Sequence, residues 1–260
     1  ALDQLKDTLK PSAKTEQVPL VRALNRILAE NIISHKNVPA DNNSAVDGFS
    51  IYYDDIQSGS ETKLPITGRA IAGVPLGCLQ NRGEAVQILT GALMPDGPGG
   101  KRPDTVVMIE DCLVDGEVVF LPEGIYRGAN CRLLGEDIQC GETILRTGCR
   151  LRPQEIGLAA SIGCDHLPVM VPLKVAVFST GNEVLDPGDS LFDGAIYDSN
   201  RYTLMQLLKS VGCEVVDLGI LEDDPKIISD ALLSATIKYD LILTSGGVST
   251  GEEDHVRKVV

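Results

Sequence analysis

At 260 residues, with a formal net charge of −14, the chain is long enough for one large domain or two ordinary ones and too acidic to neutralise nucleic-acid phosphates. Hydrophobic residues make up 43% and charged residues 23%, which excludes a disordered chain. Tryptophan is absent and aromatics reach only 4%, so the core should be aliphatic, and the stacking platforms that grip single-stranded nucleic acid are excluded.

In chain order, the first thirty residues read as helix. "VPLVRALNRILAE" sets Leu20, Leu24, Ile27 and Leu28 at helical spacing, with Arg22, Arg26 and Glu30 elsewhere around it. From about residue 31 to 132 the pattern changes to short β-prone runs broken by glycine and proline, which predicts an all-β section. Within it, "CLVDGEVVF" carries a hairpin signal at Asp115-Gly116. "RPQEIGLAASIG" predicts a helix from Pro153 to about Gly163. "LKVAVFST" is a continuous apolar run, as a strand buried on both faces should be. "SNRYTLMQLLKSVG" predicts a helix, "CEVVDLGI" a strand, "DPKIISDALLSATIK" a helix and "YDLILTS" a third strand. Strand and helix in alternation are the doubly wound α/β pattern. "EDHVRKVV" looks like an unfinished helix and three strands make a small parallel sheet, so the natural protein is expected to continue.

No stretch approaches the roughly eighteen apolar residues of a membrane span, and "ALDQLKDTLK" is no signal peptide. Seven cysteines without a C-x-x-C pair suit a reducing cytoplasm. His35, His166 and His255 fit no zinc spacing.

Open α/β sheets collect ligands beyond the carboxyl ends of their strands. The first end offers Thr180, Gly181, Asn182 and Glu183, and the second Glu222, Asp223 and Asp224. The third, "SGGVSTGEED", offers Ser245, Gly246, Gly247, Ser249 and Gly251, then Asp254. Two glycines permit a tight turn whose N–H groups face an anion. The neighbouring acids would repel that anion unless a cation lay between them, and magnesium accepts one or two carboxylates plus phosphate oxygens. Asp223 and Asp254 are the pair assigned to it. The plainer reading makes Asp224, before Pro225, a helix N-cap. Three further segments stand out. "PADNNSAVDGFS" reads as a polar turn capping itself. Thr90 and Gly91 precede a proline-glycine loop whose Lys101 and Arg102 read as solvated charges. Glu136 and Asp137 follow Gly135.

Together, "NNSAVDGFS", "LTGALMP", "DTVVMIE", "GANCRLLGEDI", "STGNEV", "GAIYDSNRYTL", "GCEVVDLGILEDDP" and "LTSGGVSTGEED" resemble the molybdopterin molybdotransferases, bacterial MoeA and the E domain of gephyrin. The resemblance runs in family order over residues 39–254. It implies an α/β plus β fold, an elongated multidomain chain with an all-β insertion and a doubly wound, MogA-like α/β domain. Residues 1–38 and 133–171 would form a helical or mixed linker domain and 39–132 the all-β insertion. Residues 172–260 would form the α/β domain that binds molybdopterin and nucleotide, incomplete at its C-terminus.

The implied activity belongs to molybdenum cofactor biosynthesis: molybdate enters adenylylated molybdopterin and AMP leaves with the help of Mg2+. The alternative is a non-catalytic dimeric scaffold or pterin-binding module. Carried over by position, Asp47, Thr90, Asp137, Glu183, Asp223 and Asp254 would be catalytic, with Asp223 and Asp254 on the metal. Thr180, Gly181, Ser245, Gly246, Gly247, Ser249 and Gly251 would bind the nucleotide or pterin. The resemblance further implies a cytoplasmic homodimer whose active site crosses the subunit interface, supplied by a molybdopterin adenylyltransferase, with no nucleic-acid or membrane partner. The family continues with a lysine-bearing P-G-K-P motif, a G-L-P-G-N-P motif and a small β domain that this sequence does not contain. The chain alone is therefore expected to be impaired.

Overall fold

The computed structural model describes residues 14–247 and 255–259. The chain divides into two compact units. One combines Ala1–Glu30, Thr147–Ile156 and Asp165–Val260, and the other combines Asn31–Arg146 and Gly157–Cys164. Among the described residues no helix is long and apolar enough to cross a membrane.

The second unit is a β structure. Its largest sheet has six strands in the order Thr105–Met108, Gly48–Ile51, Ala85–Ile88, Thr62–Ala70, Val118–Leu121 and Leu113–Asp115. All neighbours are antiparallel except Thr62–Ala70 with Ala85–Ile88. Successive residues such as Val106 and Val107, or Ala85 and Val86, enter different apolar clusters. Strand side chains alternate between faces, so this sheet buries both. The predicted hairpin forms, but Asp115 pairs with Val118 and the two turn residues are therefore Gly116 and Glu117. The cores are aliphatic as composition requires, with Phe49 and Phe178 as buried phenyl rings.

The first unit contains the α/β part. Its three strands are parallel, with Lys174–Thr180 in the centre, Glu214–Leu221 on one side and Leu241–Ser245 on the other. The helix Asn200–Ser210 covers one face, where Met205 meets Val175 and Val177. The helix Pro225–Lys238 covers the opposite face, where Ile228 meets Phe178. The apolar run that predicted a strand buried on both faces is this central strand.

The helix expected over the N-terminal segment does not form in its described part. Thr15–Pro19 is instead a strand antiparallel to His166–Met170, followed by a 3-10 turn at Leu20–Arg22. Local spacing misleads here because the backbone finds distant partners. Asn25 N–H donates to Leu151 O at 2.8 Å, and Leu28 N–H to Cys149 O at 2.9 Å. Leu28 is fully buried while Leu24, one helical turn earlier in the expected stripe, is 52% exposed. Residues 1–13, also part of that expectation, lie outside the described residues.

Candidate functional site

The three strand ends of the α/β part meet at one rim. Asn182 N–H donates to Asp223 Oδ2 at 3.3 Å, and Asp223 N–H returns a bond to Asn182 Oδ1 at 3.3 Å. This reciprocal pair ties the first strand end to the second. The third closes onto the first through its glycines. A Cβ at Gly246 would lie 3.0 Å from Thr180 O, and one at Gly247 would lie 2.9 Å from Thr180 Oγ1. Both glycines also take positive φ, +100° and +68°, which side chains rarely adopt. Nothing larger fits, because the turn packs directly against Thr180 and, at Gly247, against the Val256 side chain, 2.7 Å from where a Cβ would stand. Thr180 itself is only 6% exposed, a packing surface for that loop. Ser245 pairs with Ser179 in the ladder. Glu183 precedes the short strand Val184–Leu185, and its carbonyl accepts Ile196 N–H at 2.9 Å. Ser249, Gly251 and Asp254 lie outside the described residues.

The electrostatics of this rim are one-sided. Glu183, Glu222 and Asp223 form no ion pair among the described residues. Asp224 is occupied as the N-cap of Pro225–Lys238, accepting Lys226 N–H at 2.7 Å and Ile227 N–H at 3.1 Å. The bonds from Ile227 and Lys226 hold its carboxyl below the usual range. The plainer reading of Asp224 is therefore the structural one, which leaves Asp223 with no task in starting the helix. No three His, Cys, Asp or Glu side chains converge on a common metal position among the described residues. Of the two carboxylates assigned to magnesium, Asp223 stands on the rim and Asp254 lies outside the described residues.

A second group forms in the β unit. Thr90 donates to Asp47 Oδ1 twice, from its N–H at 2.7 Å and its Oγ1 at 2.6 Å. The Thr90 hydroxyl, then its N–H, holds the Asp47 carboxyl below its ordinary value. Arg132 pairs with Asp137 at 2.5 Å. Backbone pairing links the two sets, since Gly91 N–H donates to Ser44 O and Ser44 pairs with Cys131. The polar turn does cap itself, with Asn42 N–H on Asp41 Oδ1 at 2.7 Å and Ser44 Oγ on Val46 O at 2.6 Å. Arg102 is not a solvated loop charge, as the sequence suggested, because it bridges Asp41 and Asp96, at 2.7 Å each. Thr90→Val should raise the Asp47 pKa toward that of an ordinary carboxylate while leaving the main-chain bond in place. Carbon-13 NMR titration of the Asp47 carboxyl checks this, and an unmoved midpoint would contradict the role of the hydroxyl.

Comparison with known proteins decides the family. The family model described as "MoeA N-terminal region (domain I and II)" matches residues 1–163, and "Probable molybdopterin binding domain" matches residues 176–260. The chain belongs to the MoeA family. A molybdopterin molybdenumtransferase from Haemophilus influenzae is 38% identical over 264 residues, covering 100% of this chain and 63% of that protein. One from a Nostoc species is 35% identical, covering 95% of this chain and 56% of its own length. The crystal structure of a molybdopterin biosynthesis MoeA protein from Pyrococcus horikoshii superposes with a TM-score of 0.87 at 31% identity, over 95% of this chain and 65% of that one. The chain therefore spans between half and two thirds of the curated relatives it matches.

One feature of this MoeA-family chain escaped the sequence reading. The Arg201 side chain is 2% exposed and surrounded by three carboxylates: Asp186, Asp198 with Oδ2 3.0 Å from Nε, and Asp217 at 2.8 Å. Its Nε contact with Asp198 is an ion contact outside hydrogen-bond alignment, while Arg201 N–H donates to Asp198 Oδ1 at 3.0 Å. The partners lie on separate segments, so no local motif announces the cluster.

Proposed function

We propose that this chain serves molybdenum cofactor biosynthesis as part of a molybdopterin molybdenumtransferase, which inserts molybdate into adenylylated molybdopterin and releases AMP in the presence of magnesium. The observation that carries the reading is the rim, where a tight glycine turn lies beside Glu183, Glu222 and Asp223, which form no ion pair among the described residues. Gly246 and Gly247 would receive the adenylate phosphate on main-chain N–H groups. Asp223 and Asp254 would hold magnesium, with the Asn182 amide bond fixing the Asp223 carboxylate. Bound magnesium supplies charge neutralisation for the phosphoanhydride that is cleaved. Asp47, whose carboxyl Thr90 holds in its charged form, and Asp137, paired with Arg132, are assigned to the same reaction by the family resemblance. A cytoplasmic homodimer fed by a molybdopterin adenylyltransferase belongs to the same reading.

The test is calorimetric titration of AMP into this chain with and without magnesium, beside Asp223→Ala. Magnesium-dependent binding that Asp223→Ala abolishes, or weakens by more than about a hundredfold, is the expected result for loss of a metal ligand, since loss of a group that only orients a ligand already costs about tenfold to a hundredfold. Equal binding by both proteins would remove Asp223 from the site. Absence of binding by the parent chain would leave the rim without its assigned ligand.

A further inference from the structure

The side strand Glu214–Leu221 does not run evenly to the rim. Its ladder with the central strand pairs Val177 with Asp217 and next Ser179 with Ile220, so one extra residue sits on the outer strand. This bulge falls at Leu218 and Gly219, and Gly219 takes φ +79°. Bulges re-aim the strand that follows them. Here the strand that follows ends at Leu221, and Asp223 lies just beyond it.

The bulge is held from outside the sheet. Asp217 Oδ1 accepts Gly219 N–H at 2.8 Å and Arg201 Nη1 at 2.8 Å. The same guanidinium pairs with Asp186, just past Val184–Leu185, and with Asp198, at the head of Asn200–Ser210. One buried fork thus fastens three segments. Two of them lead straight to the rim, because Asp223 follows Asp217 by six residues (223 − 217) and Glu183 precedes Asp186 by three (186 − 183). The rim ends of these two segments are the ones joined by the Asn182–Asp223 bonds.

We propose that Arg201 is a positioning residue for the metal- and adenylate-binding rim, acting through the Asp217–Gly219 bulge on Asp223 and through Asp186 on Glu183. The proposal rests on the reading of the rim given above. A buried counter-charge could be supplied by lysine, but its compact ammonium lacks the rigid planar fork whose three nitrogens here face Asp186, Asp198 and Asp217 separately.

Two variants test it. Asp217→Asn keeps an oxygen for Gly219 N–H and removes the charge facing Arg201. Arg201→Lys keeps the charge and removes the fork. Each is read by titration of Mg2+ with AMP as the probe, by thermal unfolding, and by amide hydrogen exchange at Asn182, Gly219 and Asp223 without metal. Asp217→Asn should fold, exchange faster at Asn182 and Asp223, and need about tenfold to a hundredfold more metal, the range seen when groups that orient metal ligands are lost. Arg201→Lys should do the same. Should it fail to fold, Asp217→Asn decides alone. Wild-type metal affinity together with unchanged exchange at Asn182 and Asp223 in Asp217→Asn would overturn the proposal. If the parent chain shows no magnesium-dependent binding of AMP, the functional reading fails, and the metal-free exchange rates still judge the positioning role.

Discussion

Gly48→Ala should cost the β unit about 3 kcal/mol, the upper end of ordinary overpacking. Gly48 lies in an inner strand of the six-stranded sheet, paired with Met108 on one side and Ile88 on the other. A Cβ there would stand 1.9 Å from Val107 O and 2.9 Å from Val107 C. Both obstacles are backbone, and the strand that carries them is itself fixed by the ladder, so no rotamer change relieves the clash. The substitution must therefore spread two strands of the sheet. Damage should reach the neighbouring residue as well, because Asp47 O accepts Ile109 N–H at 3.0 Å and its carboxylate depends on Thr90. Urea denaturation would report the loss as a lower midpoint, and NMR titration would report an Asp47 carboxyl returned toward ordinary behaviour. An alanine variant that unfolds at the parent's urea concentration would mean that the sheet has room at this position.

The second large effect concerns Arg201→Met, expected to cost the α/β unit about 3–5 kcal/mol, as breaking a buried ion pair does. Methionine fills much of the volume but leaves Asp198, whose side chain is 3% exposed, without its counter-charge. Asp186 and Asp217 are each more than a third exposed and can turn to water, so the deficit should concentrate on Asp198. In the variant an orphaned buried carboxylate favours its neutral form. The penalty is therefore fully present at neutral pH and should shrink as pH falls toward 4. Adding Asp198→Asn should recover part of the loss at pH 7 for the same reason. Thermal unfolding of the single and double variants at both pH values checks the sign. A deficit that grows in acid, or a double variant no better than the single one, would show that packing dominates over charge.

How much of this was legible in the sequence depended on how local the physics was. The central strand declared itself through an unbroken apolar run, since a strand buried on both faces has no polar side to show. The rim followed, because parallel strands bring their ends together whatever lies between them. The N-terminal helix was misread because Leu20, Leu24, Ile27 and Leu28 have helical spacing by sequence alone, whereas the partners that win, Leu151 and residues 166–170, are far along the chain. The Asp47–Thr90 pair spans 43 residues and came only through resemblance to a family. The Arg201 cluster gave no sign, since Asp186, Asp198 and Asp217 follow no periodicity and acquire meaning only when a bulge brings Asp217 over the helix.

The β unit is inserted within the α/β unit, and this sets an order of events for the newborn chain. Strand Thr15–Pro19 must wait for His166–Met170, and closing so long a loop is entropically unfavourable, each doubling of length adding about 0.6 kcal/mol. The insertion shortens that search. Ile32–Ile33 pairs with Thr143–Leu145, so once the β unit has folded its two ends emerge side by side. The chain between Ile33 and Thr143 then no longer counts as open loop. What remains to be closed is the twelve residues between Pro19 and Ile32 and the twenty between Leu145 and His166, a span within which Leu28 meets Cys149. The β unit acts, in this sense, as a clasp that turns a long-range encounter into a local zipper, and the ribosome delivers the clasp before the segment it has to catch.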